Sequence, residues 1–182
     1  TNFIETELTE SLKGLPTRTT QFGRFDKGLA YTILMKYYMH EKNWAKAEEC
    51  GRELLKAEYG YGLMDRYADI FTLENEGNKE IIFACTEERG TNLQLWHDHA
   101  LPGNYPTKNA SIQKWDGYKV PWPFYRTFEE GDDRLSVLVG EYVGTDGVLF
   151  NEESDIAKHG NLYSGAVPVK YGEDPESTGD GS

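Results

Sequence analysis

Between Arg24 and Glu58, apolar side chains recur at helical spacing: Phe25, Leu29, Ile33, Leu34, Tyr37 and Tyr38. A polar break, His40-Glu41-Lys42-Asn43, interrupts the pattern, and Asn43 is suited to cap a second helix. That second helix carries Trp44, Ala47, Cys50 and Leu54, while the small residues Ala45, Ala47 and Gly51 let another helix approach closely. Tyr59-Gly60-Tyr61-Gly62 ends it, because glycine takes the left-handed conformation at a helix C-terminus without strain. The pattern predicts an antiparallel helical hairpin of tetratricopeptide length, roughly 34 residues. Such a hairpin cannot bury its own apolar face, so residues 2–13 are expected to pack on it as a further helix. Tyr31, Tyr37, Tyr38 and Trp44 are assigned to this helical packing.

Downstream the periodicity weakens. Leu63 to Leu73, with Tyr67, Ile70 and Phe71, predicts a short helix, and Asn75-Glu76-Gly77-Asn78 a turn. Glu80 to Cys85 predicts a short buried strand. Residues 87–122 hold no sustained period. They are rich in Gly, Asn and Pro and carry Trp96, Tyr105, Trp115, Tyr118 and Trp122. Long irregular segments of this kind are uncommon in compact domains and often functional. A short helix is expected over Trp122–Phe128. A hairpin follows, with strands at Ser136–Val143 and from Val148, turning at Thr145-Asp146-Gly147. A last strand is expected over Val167–Tyr171. The fold class is therefore mainly α: a tetratricopeptide-like hairpin scaffold over residues 1–75, then irregular loops and a few short β-strands over 76–182, within one domain.

The composition changes the picture in three ways. Aromatic residues make up 13% of the 182 residues and suit cores and ligand platforms alike. The formal charge of -12 sets the chain against phosphate backbones and anionic membrane surfaces, so nucleic acid is not expected as a partner. The two cysteines, Cys50 and Cys85, form no CxxC pattern and predict neither a zinc site nor a redox motif; both read as small buried residues. No transmembrane stretch or signal peptide is visible. The chain opens on a helix-like segment without an initiator Met and ends in a polar stretch from Gly172 to Ser182. The expectation is an internal piece of a longer protein.

Three stretches taken together carry a resemblance. The first is the hairpin from Gly28-Leu29-Ala30-Tyr31 through Trp44-Ala45-Lys46-Ala47, followed by Tyr61-Gly62-Leu63. The second is Asn78-Lys79-Glu80-Ile81-Ile82-Phe83-Ala84. The third is Phe128-Glu129-Glu130-Gly131-Asp132-Asp133-Arg134-Leu135. In order and spacing they resemble the middle of the SusD/RagB family of Bacteroidetes outer-membrane lipoproteins. The resemblance implies a scaffold of tetratricopeptide-like helix pairs, and a surface of loops that binds oligosaccharides, or peptides in some members, without catalysis. It also implies a surface-exposed place at the outer membrane, no cofactor, and a SusC-like TonB-dependent transporter as partner. The lipidated N-terminal cysteine that anchors such proteins is absent from this chain, as are the C-terminal helices that usually follow.

Sugars present flat C–H faces bordered by hydroxyls, so a binding site for them combines aromatic rings with Asp, Asn, Gln or Arg. Residues 92–122 have this mixture: Asn92, Gln94, Trp96, His97, Asp98 and His99 lie together, and Tyr105, Asn109, Trp115, Asp116 and Tyr118 follow. The candidate ligand-binding set is Trp96, Asp98, His99, Tyr105, Trp115 and Tyr118, with Trp96 favoured. The competing reading is that these rings plug the core beneath a long loop. Trp122, between two prolines, reads as structural. His97-Asp98-His99 would put two imidazoles on one face of a strand, but no companion motif supplies a third ligand, so no metal is assigned. Asp132-Asp133-Arg134 reads as an ion-paired helix end. A glycosidase would need two carboxylates facing each other across the bond, and spacing singles out no such pair among 31 acidic residues. A glycan-binding module is therefore set against two alternatives, a protein-interaction scaffold and a peptide-binding RagB-like protein, with a hydrolase the least favoured class.

Overall fold

The structure is a computed structural model and describes residues 2–87 and 95–176. The chain divides into two compact units. The first contains residues 1–64 and 77–86, the second residues 65–76 and 87–182. The expected boundary near residue 75 is thus crossed in both directions.

In the first unit, helix α1 (Asn2–Ser11) packs on α2 (Lys27–His40), which pairs with α3 (Trp44–Leu54) as the hairpin predicted from periodicity. Leu34, Tyr38, Ala47 and Cys50 form its buried centre, with Leu8, Leu12, Tyr31, Met35 and Tyr37 around them. Both helix starts are capped. The buried carboxylate of Asp26 accepts from the Leu29 and Thr19 N–H groups, at 3.0 and 3.2 Å, and the Asn43 side chain accepts from Lys46 N–H at 3.3 Å. Trp44, assigned to helix packing, is instead 62% exposed. It stands at the first position of α3.

Residues from Glu80 to Cys85 depart from the predicted strand. Glu80 lies in a turn and Ile82 in a bend, no residue of the segment joins a ladder among the described residues, and Phe83 and Cys85 are exposed. Cys50 is buried and both cysteines are free. An apolar run is compatible with a strand, but a strand exists only where a second chain segment supplies hydrogen bonds.

The second unit begins with two short 3-10 turns, Ala68–Phe71 and Leu73–Asn75, where one helix was expected. Then come α4 (Trp96–Ala100), β1 (Val120–Pro121), α5 (Trp122–Tyr125), β2 (Leu138–Val139), β3 (Glu141–Val143), β4 (Leu149–Asn151), α6 (Glu152–Ile156) and β5 (Gly165–Pro168). A three-stranded antiparallel sheet has the order β1-β5-β2, with Val120 opposite Ala166 and Val139 opposite Val167. β3 and β4 form a separate hairpin around Thr145-Asp146-Gly147, where Gly147 takes φ 76°. The single strand expected over Ser136–Val143 is broken into a 3-10 turn, β2 and β3.

Ala100, Leu101, Ile112, Trp122, Tyr142, Leu162, Ala166 and Val167 make the core of this unit. Trp122 is buried as expected, and its indole N–H donates to the Leu162 carbonyl at 2.8 Å, so the one polar atom of the ring is satisfied. Among the described residues no helix is long and apolar enough to cross a membrane.

Gly165 sits where β5 meets β1, and a Cβ there would lie 2.1 Å from the Val120 carbonyl oxygen. Backbone cannot yield as a side chain can. Gly165→Ala should therefore cost about 2 kcal/mol or more, read as a lower denaturation midpoint. An unchanged midpoint would show that the β1–β5 contact does not limit stability.

Candidate ligand platform

The site is assembled around α4. This helix has five residues, too few to be stable alone in water. Pro102 ends it by forcing the preceding Leu101 into an extended conformation, with ψ 136°. The segment 113–118 then returns and is stitched to the helix by backbone hydrogen bonds. Gln113 N–H donates to the Asp98 carboxylate and Trp115 N–H to the Asp98 carbonyl, both at 2.7 Å. Asp116 N–H donates to the Leu101 carbonyl at 3.0 Å. Gly117 and Tyr118 N–H both donate to the His99 carbonyl, at 2.6 and 2.9 Å. A Cβ at position 117 would come within 3.2 Å of that carbonyl, a tight contact. Asp116 carries a left-handed φ of 55°, a region that Asp enters more readily than most residues other than glycine, and its carboxylate pairs with Lys119.

This stitching brings rings together. Trp115 meets His99 edge-on at 4.6 Å between centroids, and His99 stacks on Tyr118 at 5.0 Å with an interplanar angle of 23°. Tyr118 touches Trp96 at 5.4 Å, and Trp96 touches Tyr171 at 5.6 Å. Trp115 is 48% exposed and Tyr118 43%, so both hold large areas of ring open to solvent. Four of the six candidate residues, Trp96, His99, Trp115 and Tyr118, therefore lie in one run of ring contacts.

The other two stand elsewhere. Asp98 is fully buried and spends one carboxylate oxygen on the Gln113 N–H; Oδ2 has no hydrogen-bond partner among the described residues. It holds the loop and does not face solvent. Tyr105 packs on Tyr142 at 5.0 Å beside the core, and burial, then the Glu173 charge, raises the pKa of its phenol. Trp96, favoured on sequence for the exposed position, is half-buried against the core, and its indole N–H donates to the Pro168 carbonyl at 2.9 Å. It backs the platform more than it presents a face. Asn92 and Gln94 lie outside the described residues.

His97 and His99 sit on a helix, not a strand, so positions two apart diverge. His97 is buried while His99 joins the rings. No group of three His, Cys, Asp or Glu suited to a metal occurs among the described residues. Arg134 pairs with both carboxylate oxygens of Asp132, at 2.5 to 3.2 Å, and holds that carboxyl at about 2. Tyr171 was missed by sequence reasoning. It follows an apolar run, and nothing in its spacing connects it to Trp96.

No family profile matches the sequence, and no curated protein matches it. Solved structures do match. Surface glycan-binding protein A from Bacteroides thetaiotaomicron superposes with a TM-score of 0.70 at 17% identity, over 98% of this chain and 44% of that one. The same protein in complex with laminarihexaose gives 0.69 at 17% identity, over 97% and 44%. A SusD-like protein from Bacteroides fragilis gives 0.54 at 23% identity, over 72% and 27%. The chain has the SusD-like fold. It spans 27 to 44% of the length of these structures. The platform thus lies on a SusD-like fold whose helical hairpin was legible from periodicity.

Two outcomes follow from this geometry. Trp96→Ala removes a packed ring and a hydrogen bond and should cost about 2–3 kcal/mol of stability. Trp115→Ala, at an exposed ring, should stay within about 0.5 kcal/mol. Equal losses in chemical denaturation would contradict this division between backing and presented rings. His97 is buried in its neutral form, with desolvation holding its pKa below 6.5 against the opposing pull of Glu173 and Asp98. The unfolded chain therefore binds a proton that the folded chain does not. Its stabilising contribution is complete above about 6.5 and is lost as pH falls toward the folded pKa. Melting temperature should drop between pH 7 and 5, and more steeply than in His97→Asn. The same slope in both would assign the loss to other groups.

Proposed function

We propose that this chain is the glycan-binding part of a surface protein that captures oligosaccharides without cutting them. The observation that carries the reading is the pair of exposed rings, Trp115 and Tyr118, held on either side of His99 by backbone hydrogen bonds. Two fixed, solvent-facing rings give a sugar's C–H face a surface to stack on with little ordering cost. The exposed Gln113 and Asp116 beside them offer hydroxyl partners. A solved neighbour of the same fold is a surface glycan-binding protein with laminarihexaose bound, which supports the same class of ligand here. The site works by binding alone. In the longer protein it belongs at the outer face of the outer membrane, lipid-anchored, and passes its ligand to a SusC-like TonB-dependent transporter.

The test is a titration of intrinsic Trp fluorescence with soluble plant, host and microbial glycans, with chromatography for released sugars in the same samples. A saturable change with no product is expected for at least one glycan, and Trp115→Ala should weaken that binding about tenfold or more. Released sugar would make the chain an enzyme. No saturation with any glycan would favour a peptide ligand or a protein-interaction scaffold.

A further inference from the structure

In the first unit, Phe83 to Thr86 belong to a segment with the composition of a strand and none of its pairing. Half-buried Ile82 and Ala84 alternate with exposed Phe83 and Cys85, as side chains do along a strand. Among the described residues, no backbone N–H or C=O from Phe83 to Thr86 enters a hydrogen bond. The loop 18–25 faces this segment across a cavity of about 160 Å³, lined in part by Thr19, Phe22, Ile82, Phe83 and Ala84. Phe22 and Phe25 are exposed on the loop, and the Phe25 ring meets that of Phe83 at 5.7 Å. Two cations line the same cavity. Arg18 is fixed in place: its Nη1 donates to the Tyr59 and Gly60 carbonyls at 3.0 and 3.2 Å, and its guanidinium lies 4.8 Å from the Tyr61 ring centroid. Neither Arg18 nor Arg24 is paired with a carboxylate among the described residues. Asp26, the acidic residue of the lining, spends its carboxylate on the Thr19 and Leu29 N–H groups. The cavity thus keeps an excess of positive charge within a chain of formal charge -12.

We propose that this edge takes up an extended acidic segment of a partner polypeptide by strand addition. A peptide laid along Phe83 to Thr86 exchanges main-chain hydrogen bonds with backbone groups that have none within the chain. Its side chains alternate between two faces. On one face carboxylates turn to the cavity and accept from Arg18 and Arg24; on the other, apolar side chains lie against the exposed Phe25 and Phe83 pair. Charge complementarity selects an acidic segment over a basic one. A glycan has no row of N–H and C=O groups at strand spacing, so the occupant is a polypeptide. The proposal uses none of the platform residues and stands whether or not they bind sugar.

Selection of a phage-displayed library of random peptides against the full chain tests this, followed by magnetic resonance of the chain with an enriched peptide made synthetically. Enriched sequences should alternate acidic with apolar residues, and the peptide should shift the amides of Phe83 to Thr86 and protect them from exchange. Arg24→Glu should weaken the acidic peptide about tenfold or more. A copy of that peptide with Lys at its acidic positions should bind this variant and bind the wild type poorly. Such an exchange of preference needs a folded variant, so it separates lost recognition from a lost fold. No enrichment, enrichment without acidic residues, contacts outside residues 18–25 and 81–86, or an affinity indifferent to Arg24→Glu would each overturn the proposal. So would concentration-dependent dimerisation that protects the same amides, because a second copy of this chain would then be the occupant.

Discussion

The platform depends on the docking of one irregular loop onto one very short helix, and the residue that makes this possible is Asp98. A five-residue helix and a loop without periodicity are each unstable alone. Together they satisfy one another. Five N–H groups of residues 113–118 find acceptors on Asp98, His99 and Leu101. The Asp98 carboxylate must be buried to do so, and one of its oxygens goes without a partner among the described residues. Leaving a buried acceptor unpaired costs about 1–3 kcal/mol. The second unit tolerates that cost at the point where two exposed rings are held, a place where a functional site can depart from the rule that buried polar groups are paired.

The fates of the tryptophans follow from the same accounting of hydrogen bonds and cover. Trp122 starts a short helix under β5, gives its N–H to Leu162 and disappears into the core. Trp96 gives its N–H to Pro168 and keeps one side for its ring neighbours. Trp115 lies on the returning loop, outside the helix it is stitched to, so nothing covers its outer face. A composition rich in aromatics is neutral between core and surface. The position of each ring relative to a hydrogen-bonded backbone decides between them.

This is also why the sequence was informative in some places and silent in others. The helical hairpin was legible because its determinants are local: apolar spacing within each helix and a cap at Asn43. The glycine exit expected at Gly60 belongs instead to a separate 3-10 turn, Ala57–Tyr59, while α3 stops at Leu54 on a right-handed Leu55. The β3–β4 hairpin was legible for the same reason, since its turn lies within a few residues of both strands. Glu80 to Cys85 has strand composition, but pairing depends on a second segment, and composition cannot show that none pairs with it among the described residues. Trp44 fits the apolar pattern of its helix yet stands at the end of it, where the pattern no longer implies cover. Within the platform, the loop announced itself by its rings. Asp98 did not announce that it would turn inward, and Tyr171 reaches Trp96 only through folding of a distant segment.

Charge completes the physical picture. The chain carries a formal charge of -12, yet several cations of the second unit are neutralised in place: Lys119 by Asp116, Arg126 by Glu152 and Arg134 by Asp132. A stacking surface with paired charges at its margin selects ligands through contact area and hydroxyl geometry, because paired ions contribute little field beyond their own separation in salt. Lys170 differs from these: its ammonium lies on the Phe71 and Tyr171 rings, with no carboxylate paired to it among the described residues.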